Sequence, residues 1–421
     1  MLNSKGEREL AYVVLIDEIM PIEGYDRVEL ARVSGWHVIV QKGQFKVGDP
    51  AIYFEVDSKV PSDRECFAFL AKRKYKIKTI KMCGVVSQGL LMHPSDFGWE
   101  VRFNHGLYVL ANGEEFISND PFILDNNGVE HHYSNKSRFL TEILGVVHIE
   151  DEDNKPAQRV DKYKAMAQRR PNIFKQKWAR WFMRREWGRK IMYFFFGQKK
   201  KKSSETAFPT KFPYVHKSDE ERIENMPFLL KDKQPWIKTQ KIDGTSSTYI
   251  LARGHFGKLE KYVCSRNVRQ LTPSQKTYHK DIEENVYWMM AEKYHIFDFL
   301  EKYLYENKLD YVCLQGETAG PSLQGNPHKF KEICFFGYNF IRSDSGRMNS
   351  IEAAQICQSA GIPWVPIADS NYVLPDDMET LKLDADGPCI VGEGMREGWV
   401  CRSYDGKLSF KNVSREYLLK H

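Results

Sequence analysis

The chain has 421 residues, 42% of them hydrophobic, with eight cysteines and a net charge of +6. That is enough apolar material for two or three packed domains, while no apolar run approaches the roughly 20 residues that span a bilayer. The N-terminal stretch lacks a signal-peptide core, so an intracellular protein, cytoplasmic or nuclear, is expected. The cysteines are scattered, with no Cys-x-x-Cys pair and no histidine at zinc spacing, which favours reduced core thiols over a zinc site.

Taken in chain order, residues 10 to about 120 read as strands. Tyr12-Val13-Val14-Leu15, Trp36-His37-Val38-Ile39-Val40 and Ala51-Ile52-Tyr53-Phe54 are separated by turn signals at Glu23-Gly24, Ser34-Gly35, Lys42-Gly43 and Gly48-Asp49-Pro50. This spacing suits a small barrel of the OB kind. A strand over Lys72–Lys81 would put Lys74, Lys76 and Lys78 on one face, opposite Tyr75, Ile77 and Thr79. That face is either a phosphate-tracking surface or an ordinary solvated one.

Residues 125 to 160 are polar and loop-like. From 161 to 200 a helical segment is expected, in which Trp178, Trp181, Phe182 and Trp187 alternate with arginines. Between Lys162 and Lys202, fifteen lysines and arginines stand against Glu186 alone, leaving the rest of the chain net acidic. A polyanionic partner, most simply nucleic acid or else a membrane surface, is one reading; a helix packed on a neighbouring domain, or docking a partner protein, is the other. Lys199 to Lys202 read as a solvated linker. From Phe208 onward helices (Ile282–Lys302, Ser350–Gly361) alternate with strands (Ser247–Leu251, Tyr311–Leu314, Ile333–Tyr338).

The chemistry concentrates in this last region. In Lys241-Ile242-Asp243-Gly244 a lysine precedes a glycine that lets the backbone turn close to a ligand. A lysine can attack a phosphate once its amine is neutral, which nearby cations favour. Cys264-Ser265-Arg266-Asn267 then offers an arginine suited to phosphate and ribose oxygens. Gln315-Gly316-Glu317 offers a carboxylate for ribose hydroxyls, and Tyr338-Asn339 an aromatic face for a purine. Glu397 stands at a strand start, and fourteen residues later Lys411 is placed to hold an α-phosphate and to depress the pKa of Lys241.

This ordered series resembles the motifs of the covalent nucleotidyltransferases, the superfamily of polynucleotide ligases and capping enzymes. Within it the chain is most similar to the ATP-dependent RNA ligases whose OB domain precedes the transferase domain. Met20–Glu29, Val85–Leu90, Leu140–Val146 and Asp219–Ile223 are similar to that family too, and the resemblance spans most of the chain except 161–205. It implies an α+β protein: an N-terminal OB-type β-barrel (1–125), a linker with a basic aromatic insertion (126–207), and a mixed antiparallel-sheet adenylyltransferase domain (208–421).

The resemblance further implies ATP with Mg²⁺ or Mn²⁺, and sealing of 3′-hydroxyl and 5′-phosphate RNA ends, as nicks in a duplex, by a monomer active in RNA repair. Lys241 would take AMP from ATP, pass it to the 5′-phosphate, and a 3′-hydroxyl would then displace it. Lys411 and Glu397 would assist, Glu397 at the metal. Gln240, Asp243, Gly244, Arg266, Asn267, Glu317, Tyr338 and Asn339 would bind the nucleotide, and Lys74, Lys76, Lys78 and Arg266 the nucleic acid. Two positions depart from the family pattern: Ser409 stands where a second lysine is frequent, and Gln240 where glutamate is common. The alternatives are a DNA ligase or capping enzyme, which usually carries its OB domain after the last motif, and a non-catalytic RNA-binding protein on a degenerate transferase fold.

Overall fold

The computed structural model describes residues 1–3, 8–109, 115–134, 136–149, 207–208, 213–216, 218–254, 257–266, 269–270 and 285–420, with side chains omitted at 104–120 and 207–208. The expected basic helix, the Lys199–Lys202 linker and Asn267 lie outside these residues.

The N-terminal body is built from short antiparallel strands. Ala11–Leu15 and Leu90–Met92 both pair with Pro50–Phe54, and Glu18–Ile22, Tyr25–Val33 and Trp36–Gln41 form a meander. Tyr12, Trp36 and Tyr53 are fully buried between these sheets. Two expectations are corrected here. Instead of a strand over 72–81, a 3₁₀ helix Glu65–Arg73 ends in Lys74, and both Lys74 and Tyr75 have left-handed backbones (φ 54° and 61°). Within 72–81 only Lys76–Ile77 and the start of Ile80–Met82 are strand, so the three lysines do not share a face. Lys76 and Lys78 do alternate with buried Ile77 and Thr79.

The second correction concerns residues 126–149, expected as linker. They contain the strands Glu130–His132 and Val147–His148 and the short helix Thr141–Leu144. Leu140, Leu144 and Val146 pack with Leu10, Ile52 and Phe67 in the barrel core. The N-terminal body therefore extends well past residue 125.

The second body contains two sheets. In spatial order the larger one runs Ala207–Phe208, Arg269–Gln270, Leu259–Cys264, Thr245–Arg253, Tyr311–Ala319, Cys334–Arg342 and Gly346–Arg347. The smaller runs Glu221–Arg222, Ser409–Val413, Gly398–Arg402, Trp236–Lys241 and Ile367–Tyr372, antiparallel except for its first pair. Helices cover the larger sheet: Ile296, Phe297, Leu300, Tyr303 and Leu304 recur at helical spacing in Ile296–Glu306 and are all buried. The single helix expected over 282–302 is two, Val286–Lys293 and Ile296–Glu306, broken at His295 (φ 48°). The helix Ser350–Ser359 starts where expected, with Asn349 accepting the Ile351 N–H.

The two bodies meet through buried polar contacts. Tyr12 Oη and Trp36 Nε1 both donate to Asn225 Oδ1, at 3.1 and 2.7 Å. Arg222 Nη2 reaches Asp57 at 2.7 Å, and Arg8 bridges the fully buried Glu55 (2.8 Å) to Asp219 (3.1 Å). Arg8 thus extends from the barrel to the wall of the site described next.

Candidate active site

Where the two sheets of the second body face each other they enclose a cleft of about 620 Å³. Its walls bring together Gln240, Lys241, Asp243, Gly244, Arg266, Glu317, Tyr338, Glu397 and Lys411, residues up to 171 positions apart in sequence. Strand register explains the convergence. Lys241 pairs with Gly398 at the end of its strand, Val400 pairs with Lys411, and Glu317 pairs with Ser246 on the opposite sheet.

The turn carrying Lys241 is tightly constrained. A Cβ on Gly244 would stand 2.3 Å from the Thr318 carbonyl oxygen, a backbone atom that cannot move aside alone. Gly244→Ala is therefore expected to displace the turn and, since misplacing reacting groups by about 1 Å costs roughly 10²-fold, to slow any reaction in which Lys241 is the nucleophile by about that factor at saturating substrate. A wild-type rate in the variant would contradict this.

Two predicted residues do not present their side chains to the cleft. The alternation of the strand Trp236–Lys241 puts Thr239 and Lys241 on the cleft face and Gln240 on the other. There Gln240 Oε1 accepts the Ile390 N–H at 2.6 Å. Asn339 is buried within the sheet, its Nδ2 donating to Gln315 Oε1 at 3.0 Å, and it does not line the cleft. Lys74, Lys76 and Lys78 belong to the N-terminal body and are not part of the cleft wall.

Electrostatics organise the rest. Lys241 Nζ lies 2.8 Å from Glu397. Burial alone would lower the Lys241 pKa, but Glu397, Glu317 and Asp243 outweigh it and hold it above the usual lysine range. The expectation that Lys411 depresses this pKa is not met in this state: three carboxylates surround Lys241, and Lys411 is paired with Asp219 at 2.9 Å. It is Lys411 whose pKa falls, to about 8, through burial and then the nearby Arg8, against the pull of Asp219.

Glu317 is pushed up to about 8, by burial first and then by Glu397 and Asp243, against Lys241 and Arg266. A carboxyl with a folded-state pKa above its ordinary 4.5 keeps its proton in the folded protein after the unfolded chain has lost it. Its contribution to stability is complete below that ordinary value and is lost as pH rises through about 8. Glu317→Gln, neutral at all pH, is expected to flatten the fall in melting temperature of the nucleotide-free protein between about pH 5 and 8. Parallel curves for variant and wild type would contradict the assignment.

Several cleft residues were not singled out by sequence. Asp219 accepts from Lys411 and Arg8, and burial's upward pull on its carboxyl is overcome by those two cations. Arg402, 3% exposed, bonds Thr239 Oγ1 and Glu220 Oε1, each at 3.2 Å, and stands 5.8 Å from the Tyr338 ring. Ser409, in the position noted above, donates to Glu220, and Arg347 Nη1 lies 3.2 Å from its hydroxyl. The run Arg396–Arg402 and the segment Asp219–Ile223 drew attention as motifs, but nothing local assigned these side chains to the cleft.

Among the described residues, no cluster of three His, Cys, Asp or Glu side chains forms a metal site by itself. Asp243, Glu317 and Glu397 nevertheless stand together around Lys241, where burial and then the neighbouring carboxylates lift the Glu317 pKa. That surplus of hard oxygen donors fits a divalent cation that takes its remaining ligands from a phosphate.

Comparison with known proteins agrees with this architecture. A family model for an OB-fold domain matches residues 10–94, and the RNA ligase model matches residues 234–420. Naegleria gruberi RNA ligase with pyrophosphate is 25% identical, with a TM-score of 0.66 over 99% of each chain. A point mutant of that enzyme with AMP and Mn gives 25% identity and 0.66 over 98% of this chain and 99% of the other. Another mutant, with ATP and Mn, gives 25% and 0.65 over the same shares. Comparison with curated proteins returns no match. With the two domain models in the order of the two bodies, and a structural match across nearly the whole chain, residues 234–420 are an RNA ligase domain that stands behind an N-terminal OB-fold domain.

Proposed function

We propose that the protein seals RNA 3′-hydroxyl and 5′-phosphate ends, as nicks in a duplex, using ATP and a divalent cation. The observation that carries this reading is the placement of Lys241 Nζ against Glu397, within one cleft that also holds Arg266, Glu317, Tyr338 and Lys411. The similar Naegleria enzyme, seen with ATP, AMP, Mn and pyrophosphate, supports the choice of nucleotide and metal.

In the first step the neutral Lys241 amine attacks the α-phosphorus of ATP. An N–P bond forms as the nitrogen gives up a proton to solvent, the α–β anhydride breaks, and pyrophosphate leaves. The 5′-phosphate of the strand then attacks the same phosphorus; the N–P bond breaks and Lys241 regains a proton. Finally the 3′-hydroxyl attacks the adenylylated 5′-phosphate, loses its proton, and AMP departs. Glu397, with nucleotide phosphate oxygens, would hold the cation, whose charge offsets that developing on the phosphate. Drawing Glu397 away from Lys241 would remove the largest interaction that keeps the ammonium charged.

Lys411 would meet the α-phosphate, exchanging Asp219 for it, while Arg266 holds the nucleotide and then the incoming 5′-phosphate. Glu317 would meet the ribose hydroxyls, and the Tyr338 ring would cover the base. The test is sealing of a duplex nick whose 3′-hydroxyl strand is RNA. Joined product that requires ATP, a divalent cation and the 5′-phosphate is expected. Well-folded protein that joins none of these ends, with ATP or GTP, would favour a binding role instead.

A further inference from the structure

We propose that His328, with Cys389, is a positioning residue for the adenylylation step: it fixes the turn on which Lys241 stands. This rests on the lysyl-AMP reading above and concerns how the nucleophile is held in register.

His328 is fully buried, although it belongs to the connection between the strands Tyr311–Ala319 and Cys334–Arg342. Its Nε2 accepts the backbone N–H of Asp243 at 2.7 Å. A backbone amide can only donate, so the neutral ring must carry its proton on Nδ1. That nitrogen lies 2.9 Å from Cys389 Sγ, so the sulfur accepts the Nδ1 proton and supports the tautomer that the Asp243 amide imposes. Burial pushes the Cys389 thiol up to about 11, so it stays protonated in this role.

The second strut comes from the next residue. The Ile390 N–H donates to Gln240 Oε1 at 2.6 Å. Residues 389 and 390 therefore grip the nucleophile's turn on both sides: Gln240 directly, just before Lys241, and Asp243 through His328, two positions after it. The same loop leads to Glu397, the partner of Lys241.

The scaffold behind this contact is tight. Cβ atoms on Gly392 and Gly394 would stand 2.3 Å from the His328 carbonyl oxygen and 2.0 Å from that of Pro327. The histidine's own segment places four non-glycine residues, Ser322, Gln324, Asn326 and Lys329, at φ between 44° and 68°. Backbone in this region costs energy and persists where surrounding contacts impose it. Here it delivers Gln324 to the cleft wall and His328 beneath the turn.

The test measures single-turnover transfer of label from α-labelled ATP to the protein, with divalent cation, across ATP concentrations. His328→Gln retains an acceptor at nearly the same reach, whereas His328→Leu fills the space without one. Expected is a roughly 10²-fold lower maximal rate for His328→Leu, with the ATP concentration giving half that rate little changed, and recovery to within about tenfold of wild type in His328→Gln. Cys389→Ala is expected to slow the step, Cys389→Ser to restore it, and Cys389→Ala to have no further effect in a His328→Gln background.

Equal rates for His328→Leu and His328→Gln would overturn the proposal. So would a Cys389→Ala cost that is the same in both backgrounds, a comparison that stands even if His328→Leu does not fold. Wild-type protein that takes no label at all would overturn the lysyl-AMP reading instead.

Discussion

Lys241→Ala is expected to eliminate ATP-driven sealing, with a loss of at least about 10⁴-fold, the scale seen when a covalent nucleophile is removed. The same loss is expected for Lys241→Arg. A guanidinium keeps the positive charge facing Glu397, Glu317 and Asp243 but cannot be deprotonated at working pH. The pair separates charge from nucleophilicity, because only Lys241→Ala strips the three carboxylates of their counter-charge. In that variant the Glu317 carboxyl is expected to move still higher, since Lys241 is the main influence holding it down.

Neither substitution touches the final displacement, in which the 3′-hydroxyl attacks a strand that already carries AMP. A nick adenylylated beforehand should therefore still be joined by Lys241→Ala. ATP-dependent sealing by Lys241→Arg within tenfold of wild type would contradict the covalent mechanism.

Lys382→Met is expected to destabilise the second body by about 3–5 kcal/mol, read as a fall in the urea midpoint. Lys382 has no exposed surface, and its Nζ lies 2.6 Å from Glu224 and 2.7 Å from the Val413 carbonyl oxygen. Burial disfavours its charge and Glu224 restores part of that loss. Methionine would fill the space but leave a carboxylate that is 1% exposed without its cation. The cost of removing one partner exceeds the net value of the pair.

The double variant Lys382→Met/Glu224→Leu is therefore expected to recover most of the stability. The consequence reaches the domain interface, because the Glu224 carbonyl accepts the Gly35 N–H at 2.7 Å and the Ser34 hydroxyl at 3.0 Å. A change below about 1 kcal/mol in Lys382→Met would contradict the account.

What the sequence revealed and what it hid follow from how far each inference had to reach. Lys241, Arg266, Glu317, Tyr338, Glu397 and Lys411 were legible because each lies in or beside a strand whose local pattern is clear, and their motifs converge on one cleft. The alternation argument misjudged Lys74 because a period of two cannot register the left-handed backbone that ends a 3₁₀ helix. It would have placed Gln240 correctly, on the face opposite Lys241, had it been applied there.

Residues 126–149 looked like linker because Leu140, Leu144 and Val146 are a few apolar positions in a polar stretch, and only tertiary packing reveals their burial. The Asp219–Lys411 and Arg402–Glu220 pairs span 192 and 182 positions. His328 and Cys389, 61 apart, carry no motif. Contacts of that kind follow from sheet closure rather than from any local signal.

The most direct test of the central claim is peptide mass mapping of wild-type protein after incubation with ATP and Mg²⁺ or Mn²⁺, without RNA. The account predicts one AMP adduct, acid-labile as a phosphoramidate, on the peptide containing Lys241, and its discharge when excess pyrophosphate is added. An adduct on a different residue, or folded protein that stays unmodified with both metals, would contradict it.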